Sequence, residues 1–445
     1  MFERVLIPRR GEVVVRIART CRLLGAAAHT VATPGVLGGD SSGVHAYGCE
    51  GVHEIAAQAD GSIAVADIVD LAQKIEADAV YPGYASHRSH LQLAQALEAV
   101  GKRCLTGLHQ HLETVRDRVA LAAIADAAGV RRVASSGSLE DAGDVSAYAY
   151  ESGYPLALRA RFAGGGLGVV RVDSADEVDA AFDGLVARAG AGGVIAQHWL
   201  ERARHIEVLV AADRHGERVA LCDRERSLSD GGRRFIEECP SPELVFRGDG
   251  DAIREAMFDA AIRMLEGVGH VGLMTVDFLL DADTHFWMSG ARIGLPKQHG
   301  ISEMVTGVDL VQLELQLAAG EAMPDAALYP RPSGHAVSAW LVAAENADME
   351  PTTFRSPPYP SRRVRVESTV DERGVRAVDD GLLVAKISTY APIRHQAVLT
   401  LDRVLAGSQV GPGATNMAQL RQVLGNESFR AGQYDTTFIP RHVDV

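Results

Sequence analysis

The hydrophobic positions of about the first 110 residues form two alternating patterns. Short apolar runs predict strands at 5–7, 29–32, 79–81 and 103–105, and amphipathic segments predict helices at 13–24, 68–77 and 91–100. Strands that alternate with helices and end near glycine favour a parallel, doubly wound sheet. We therefore expect an α/β domain at the N-terminus.

The pattern changes after this domain. A strong helical period covers 113–128, and strands at 156–159 and 169–172 flank a glycine-rich loop. A helix and a further strand complete a small α+β unit before residue 200. Apolar runs at 205–211 and 273–280, among others, then predict a larger sheet.

Composition and charge narrow the class of protein. The 445 residues include 58 acidic and 44 basic side chains, a formal net charge of −14. This charge repels phosphate backbones and anionic lipid surfaces, which argues against nucleic-acid and membrane partners but permits a local basic pocket. Five scattered cysteines without a C-x-x-C pair indicate neither a disulfide framework nor a zinc knuckle. We find no signal-peptide pattern and no membrane-length apolar run, so we expect a cytoplasmic protein.

The glycine-rich loop is the first indication of chemistry. Gly164, Gly165, Gly166 and Gly168 let the backbone approach a phosphate closely and bind it through exposed N–H groups. Because the loop joins two strands rather than a strand and a helix, it is neither a dinucleotide fingerprint nor a Walker A loop. A phosphate flap and a tight hairpin turn both account for it.

Seven short motifs then follow one another along nearly the whole chain. They are R-G-E at 10–12, P-G-Y at 82–84, R-H-I-E at 204–207, E-E-C-P-S-P at 237–242, E-M-V-T-G-V-D-L at 303–310, G-H-A-V at 334–337 and Y-D-T-T-F-I at 434–439. In this order they resemble biotin carboxylase, the ATP-grasp subunit of biotin-dependent carboxylases. So many ordered matches imply the same fold.

The resemblance implies an α/β ATP-grasp fold of the biotin carboxylase type. Its domains would be an N-terminal Rossmann-like domain (1–112), a linker helix with a small glycine-flap lid (113–202), a central ATP-grasp sheet (203–330) and a C-terminal domain (331–445), the larger sheet being mixed. In that family ATP lies between the lid and the larger sheet. Bicarbonate is phosphorylated to carboxyphosphate, which carboxylates biotin, and two divalent metals bridge the phosphates.

The resemblance also implies a nucleotide site with changed residues. Arg118 and Arg159 fall where the family has two lysines that contact the phosphates, and a guanidinium is larger and planar. Gln197, in place of an acidic residue, and Leu200 fall beside the adenine, and His205 is retained. From the residues alone, the arginines either clamp a phosphate or are solvated ion-pair partners.

Arg234 and Arg292 belong to the implied catalytic centre. Arg234 replaces a third lysine, near bicarbonate, and has the same two interpretations as the other arginines. Arg292 matches the family's bicarbonate-binding arginine. It either holds an anion or is a buried partner of Glu303 or Asp277.

The implied metal site is the most altered part. Asp277 is a shortened form of one metal carboxylate, whereas Met288 and Gly290 replace a glutamate and an asparagine and offer no oxygen to a hard cation. Pro296 falls at the position of the general base, and Trp340 at that of an arginine that stabilises the biotin enolate. Binding of Mg²⁺ is therefore doubtful, and whether ATP binds stays open. Any biotin would arrive on a separate carrier.

Two classes of function follow from these replacements. The first is an impaired or non-catalytic homologue that acts as a binding or structural subunit. The second is an enzyme, either a biotin carboxylase with a rebuilt site or an ATP-grasp ligase with another acceptor. A general base alone is worth about 10²–10⁴ in rate, so the combined losses favour the first class.

Two further arginines concern assembly. Arg16 and Arg365 match positions at the family's dimer interface, although an exposed arginine is the other interpretation of each. The resemblance implies a homodimer, or a heterodimer with a biotin carboxylase-type subunit. Such a dimer would work in a complex with a carrier and a carboxyltransferase.

Overall fold

The computed structural model describes residues 2–33, 43–46, 48–58, 62–84, 87–162, 168–189, 192–230, 233–343, 353–358, 363–370, 383–411 and 414–444. Three of the predicted flap glycines, Gly164, Gly165 and Gly166, lie outside these residues.

The N-terminal unit is a five-stranded parallel sheet with helical connections. Its elements are β1 (Arg4–Ile7), α1 (Glu12–Leu23), β2 (Ala27–Ala32), β3 (Gly51–Glu54), α2 (Val65–Lys74), β4 (Ala79–Val80), α3 (His87–Ala99) and β5 (Arg103–Cys104). The strand order is β3-β2-β1-β4-β5, and every pair is parallel. Val5, Leu6 and Ile7 are fully buried, as expected of a parallel strand covered on both faces. The predicted parallel α/β domain is confirmed.

The single helix predicted at 113–128 is wrong. The structure has two helices there, α4 (His109–Arg116) and α5 (Arg118–Ala127). Asp117 between them is extended (φ −80°, ψ 109°), and its carboxylate accepts a hydrogen bond from the N–H of Val119, which caps α5. An apolar period does not reveal such a cap. The break places Arg118 at the first position of α5, where its N–H donates to the carbonyl of Arg161 (3.2 Å).

The lid is a small sheet covered by helices. Its elements are α6 (Ala142–Ser152), β6 (Leu156–Ala160), β7 (Val169–Val172), α7 (Val178–Ala189) and β8 (Val194–His198). The strands pair antiparallel in the order β7-β6-β8, around a core of their own that includes Leu158 and Leu185. Gly168 accepts a hydrogen bond from the N–H of Ala160 (3.0 Å) at the end of the glycine loop.

The remaining strands and helices surround one large sheet. Those before residue 331 are β9 (Arg204–Ala212), β10 (Arg218–Asp230), β11 (Arg233–Cys239), α8 (Pro242–Phe246), α9 (Gly250–Val268), β12 (Gly272–Leu280), β13 (Phe286–Ile293), α10 (His299–Thr306), α11 (Leu310–Ala319) and α12 (Asp325–Leu328). Those after it are β14 (His335–Val342), β15 (Thr353–Arg355), β16 (Val364–Ser368), β17 (Leu383–Ala391), α13 (Arg394–Gly407), β18 (Gln409–Gly411), α14 (Met417–Gly425), α15 (Glu427–Arg430) and α16 (Phe438–His442).

This sheet has eight strands in the order β13-β12-β9-β10-β11-β14-β17-β16. It continues from the central segment into the C-terminal segment without a break. We expected a mixed sheet, but all its strand pairs among the described residues are antiparallel. Neighbours such as β9 and β10 are joined by a short turn, which only an antiparallel pair permits.

Helix α9 covers the sheet with Met257, Ala261 and Met264, which are fully buried beside Val208 of β9. In the part of the chain that the structure describes, no helix combines the length and the apolar character needed to cross a membrane.

Candidate functional site

A cavity of about 260 Å³ lies where the lid, α5 and strands β12 and β13 meet. Most of the implied site residues line it, although they come from six different elements and a loop. These are Arg118, Arg159, Gln197, Leu200, His205, Asp277, Gly290 and Arg292. Of the other described candidates, Gly168, Arg234 and Met288 do not line this cavity.

The cavity is positive although the chain as a whole is acidic. Its lining arginines are Arg116, Arg118, Arg159, Arg226 and Arg292. Asp277 is the one carboxylate among the described lining residues, so five positive charges face one negative, a formal charge of +4 with neutral histidines. A cleft lined by charges of one sign concentrates ligands of the opposite sign. The cavity is therefore suited to a multivalent anion.

Arg118 and Arg159 converge on one backbone oxygen. Arg159 Nη1 donates to the carbonyl of Ser289 (3.0 Å) and to Gln197 Oε1 (2.9 Å), and Arg118 Nη1 lies 3.5 Å from the same carbonyl. Burial lowers the pKa of Arg159 to about 10, and burial together with the charge of Arg159 holds the pKa of Arg118 well below its usual value. For both cations, burial thus outweighs the compensating charge of Asp277.

Arg292 bridges two carboxylates. Its Nη1 donates to Asp277 Oδ2 and its Nη2 to Glu207 Oε1, each at 2.6 Å. Burial alone would raise the pKa of Asp277, but the charge of Arg292 and a contact with His205 hold it well below its usual value. Of the two partners named from the sequence, Arg292 therefore pairs with Asp277 and not with Glu303.

Glu207 is the site residue whose role the sequence analysis missed. Its Oε2 accepts two hydrogen bonds from Arg224 (3.1 and 2.9 Å), and its Oε1 accepts bonds from Arg226 (3.3 Å) and Gln298 (3.3 Å) besides Arg292. Burial alone would raise its pKa, but these arginines hold it well below its usual value. Glu207 and Arg224 are direct partners across β9 and β10. A glutamate inside the otherwise apolar run Ile206–Ala211 was the available signal.

The implied divalent cation does not fit these residues. His205, Glu207 and Asp277 bring three potential ligand atoms within 4.8 Å of one another. However, each oxygen of the two carboxylates already has an arginine, histidine or glutamine partner. Mg²⁺ needs near-octahedral oxygen ligands at about 2.0–2.1 Å, and the guanidinium of Arg292 already bridges the two carboxylates.

The two replaced metal positions support the same conclusion. Met288 is buried in an apolar cluster with Phe278, so its thioether packs rather than coordinates. A Cβ at Gly290 would lie 3.3 Å from Asp277 Oδ2 and 4.0 Å from Arg118 Nη1. The missing side chain leaves the space between this carboxylate and this guanidinium free.

Arg234 lies apart from the cavity, against Trp340. Its guanidinium carbon is 4.8 Å from the centroid of the indole ring, and its Nη1 is 3.6 Å from Glu237 Oε1. Trp340 Nε1 donates to Glu237 Oε2 (2.8 Å). Burial, with the charge of nearby Arg226, lowers the pKa of Arg234 to about 10. Arg234 is thus an interior partner, not a solvated ion-pair residue.

Arg16 and Arg365 meet at Glu303. Arg16 Nη2 lies 2.8 Å from Glu303 Oε1 and 2.6 Å from Asp309 Oδ1, and Arg365 Nη1 lies 2.5 Å from Glu303 Oε2. Both arginines line a groove of about 730 Å³. Each is therefore held in an ion pair within one chain, and their role in a dimer stays a prediction.

Three family descriptions match the chain in order. Residues 1–106 match "Biotin carboxylase, N-terminal domain", residues 117–326 match "Carbamoyl-phosphate synthase L chain, ATP binding domain", and residues 351–441 match "Biotin carboxylase C-terminal domain". The chain is 30% identical over 460 residues to the biotin carboxylase of Halalkalibacterium halodurans, a match that covers 100% of this chain and 99% of that protein.

Solved structures confirm the predicted fold class. The biotin carboxylase domain dimer of the Hydrogenobacter thermophilus 2-oxoglutarate carboxylase, in complex with MgADP, ADP and bicarbonate, matches with a TM-score of 0.90 and 24% identity, over 99% of this chain and 98% of that one. A biotin carboxylase domain of thermophilic 2-oxoglutarate carboxylase, bound to ADP without magnesium and with a disordered phosphate tail, matches with a TM-score of 0.79, at 24% identity over 99% and 98% of the two chains.

Proposed function

We propose a function from the premise that this chain belongs to the biotin carboxylase family, as its 30% identity to a full-length member shows. The chain binds a nucleotide in the cavity between lid and sheet, and it does not carboxylate biotin. It acts as a binding or structural subunit of a cytoplasmic carboxylase complex. Any biotin would be presented by a separate carrier protein.

Nucleotide binding is supported by the charge of the cavity. The five lining arginines face one lining carboxylate, and a nucleotide di- or triphosphate carries the multivalent negative charge that such a cavity attracts. Leu200, Leu279 and Val133 give the same cavity apolar walls, as a purine base requires. A related fold, the Hydrogenobacter 2-oxoglutarate carboxylase domain, was solved with ADP bound.

One observation is the main argument against carboxylation. Arg292 forms ion pairs with both Asp277 and Glu207 (2.6 Å each). An arginine that neutralises two carboxylates is not free to bind bicarbonate. Asp277 is a poor general base, because its pKa is held well below its usual value, whereas a base works best with a pKa near the working pH. Bicarbonate is then neither held nor deprotonated.

The test is a turnover assay with all substrates present. The purified chain is mixed with ATP, Mg²⁺, bicarbonate and either free biotin or a biotinylated carrier protein, and ADP release is followed. The biotin carboxylase of Halalkalibacterium halodurans serves as positive control. We expect no ADP release that depends on bicarbonate and biotin, while a fluorescent ATP analogue still binds. Release at a rate comparable to the control would contradict the proposal.

A second candidate is an active biotin carboxylase. The specific observation in its favour is the match to the Halalkalibacterium halodurans biotin carboxylase over the full length of both chains, together with the retained Arg292. The same assay separates the two candidates. An ATP-grasp ligase with another acceptor would release ADP only when that acceptor is added.

The groove around Glu303 supports a dimer as part of this proposal. Arg16 and Arg365 line it, and Leu23, also on its rim, is 71% exposed. The partner would be a second copy or a biotin carboxylase-type subunit. We expect Arg16→Glu to convert a dimer into a monomer in light scattering. A wild-type chain that is already monomeric would contradict this part of the proposal.

A further inference from the structure

We propose that the cavity binds the phosphates of a nucleotide as a free anion, without a divalent cation. This inference rests on the proposed nucleotide binding and concerns the form of nucleotide that is recognised. Arg118 and Arg159 hold the phosphate oxygens. Arg292 takes the place of the cation beside the carboxylates.

Each carboxylate oxygen of the site already has a hydrogen-bond partner. Asp277 Oδ2 and Glu207 Oε1 each accept a 2.6 Å hydrogen bond from Arg292, Asp277 Oδ1 lies 3.2 Å from His205 Nε2, and Glu207 Oε2 accepts bonds from Arg224. Charge-assisted hydrogen bonds of this length are among the strong ones in proteins. A cation would have to displace a guanidinium from two carboxylates at once.

The space where a metal-ligand side chain would stand lies between a carboxylate and a guanidinium. A Cβ at Gly290 would lie 3.3 Å from Asp277 Oδ2 and 4.0 Å from Arg118 Nη1. A divalent ion placed there would face Asp277, which is already paired with Arg292, and the positive charges of Arg118 and Arg159. Like charges at this separation disfavour the ion, while they favour a phosphate that carries the opposite sign.

Arg159 in particular has no carboxylate as a hydrogen-bond acceptor among the described residues. Its hydrogen bonds go to neutral oxygens, of Gln197 (2.9 Å) and Ser289 (3.0 Å), and its Nε is buried without an acceptor among the described residues. The Nε1 of Trp199, another lining residue, is also buried without an acceptor in that part of the chain. Buried donors without acceptors are unfavourable, so a state that brings phosphate oxygens to this wall is stabilised.

Magnesium should therefore compete with the protein for the nucleotide. Mg²⁺ in solution neutralises part of the phosphate charge, and the arginines recognise that charge. We expect ATP and ADP to bind in EDTA at least as tightly as in Mg²⁺. Because the contact is electrostatic, we also expect the affinity to fall as salt is raised.

The experiment is titration calorimetry of the full chain with ATP and with ADP, once in EDTA and once in excess Mg²⁺. Binding in EDTA that is equal to or tighter than binding in Mg²⁺ supports the inference. Binding that appears only with Mg²⁺ overturns the inference and leaves the proposed nucleotide site standing. No binding under either condition overturns both.

Variants of Arg159 test whether this side chain binds the phosphates. Arg159→Gln removes one charged donor set and should weaken ATP binding in EDTA by about tenfold or more, because hydrogen bonds to charged groups are lost. Arg159→Lys keeps the charge but not the planar donors, so it should weaken binding less. Arg218→Gln changes an exposed arginine at the first position of β10, outside the lining of the cavity. It is the matched control and should bind ATP as tightly as wild type does. Equal affinity of wild type and Arg159→Gln in EDTA would contradict the assignment.

Discussion

Two buried arginine–carboxylate clusters lie in the same sheet, and they differ in charge balance. In the C-terminal cluster, Glu238 accepts two hydrogen bonds from Arg394 (2.7 Å each) and one from Tyr434 (2.7 Å). His335 Nε2 lies 2.6 Å from the same carboxylate. Arg394 also donates hydrogen bonds to the carbonyls of Phe429 and Arg430 (2.8 Å each). This cluster is closed, because every charge has its partner.

The cluster at the cavity is open by contrast. Arg292 pairs with Asp277 and Glu207, and beside them Arg159 donates to neutral oxygens of Gln197 and Ser289. The closed cluster connects α13 and the C-terminal tail to β11, and it needs nothing from outside. The open cluster keeps a surplus of positive charge next to a cavity. Surplus charge, and not burial of charge as such, is what distinguishes a binding site from a structural ion pair here.

The largest effect is expected from breaking the closed cluster. Glu238→Gln leaves Arg394 buried without a counter-charge, which typically costs about 3–5 kcal/mol of the free energy of unfolding. Urea unfolding measures this loss. The exposed Glu255→Gln on α9 is the control and should change stability by less than about 0.5 kcal/mol. Nucleotide affinity should stay unchanged in both variants, and a parallel loss of affinity would mean that the two clusters are coupled.

The same cluster sets a pH dependence. Burial would raise the pKa of Glu238, but Arg394 and His335 lower it to about 2. The pKa of a glutamate in the unfolded chain is about 4.3. The stabilisation that Glu238 provides is therefore complete above that pH and is lost as the pH falls toward 2. The total loss in the free energy of unfolding is about 3 kcal/mol. Unfolding curves at pH 5, 4 and 3 should show the decline. Glu238→Gln should flatten it, and an equal slope in wild type and variant would exclude Glu238 as its source.

Breaking the open cluster should cost less. Arg292→Gln removes the positive charge that pairs with Asp277, but Glu207 keeps its ion pairs with Arg224 and Arg226. The side chain of Arg292 is also 23% exposed, so part of the lost contact is replaced by water. We expect a loss of about 1–3 kcal/mol in the free energy of unfolding. A loss as large as that of Glu238→Gln would show that the cavity cluster is just as closed.

The smallest effect is expected at Gly290. Gly290→Ala places a Cβ 3.3 Å from Asp277 Oδ2, so the carboxylate or Arg118 must shift by a few tenths of an ångström. We expect a loss of stability of about 1 kcal/mol, at the lower end of the cost of overpacking, and a weaker affinity for ATP. Gly184→Ala in α7, whose Cβ would meet no atom within 4 Å, is the matched control and should gain stability from its helical position. Unchanged ATP affinity in Gly290→Ala would separate this space from the binding site.

Much of this arrangement could be predicted from the sequence, and the rest depended on contacts between distant residues. The parallel N-terminal sheet followed from alternating patterns, and the motif matches brought Arg118, Arg159 and Arg292 to one cavity. The role of Glu207 depended on pairing between β9 and β10, which a linear pattern does not specify. The break at Asp117 depended on a capping carboxylate. The position of Arg234 against Trp340 depended on residues about 100 positions apart, brought together across β11 and β14.

A crystal structure of the chain with ADP, grown in Mn²⁺ and measured at the manganese absorption edge, tests the metal-free site most directly. We expect phosphate oxygens within hydrogen-bond distance of Arg118 and Arg159, Arg292 still paired with Asp277 and Glu207, and no anomalous peak beside these carboxylates. An anomalous peak bound to Asp277 and the phosphates, with Arg292 turned away, would contradict the proposal.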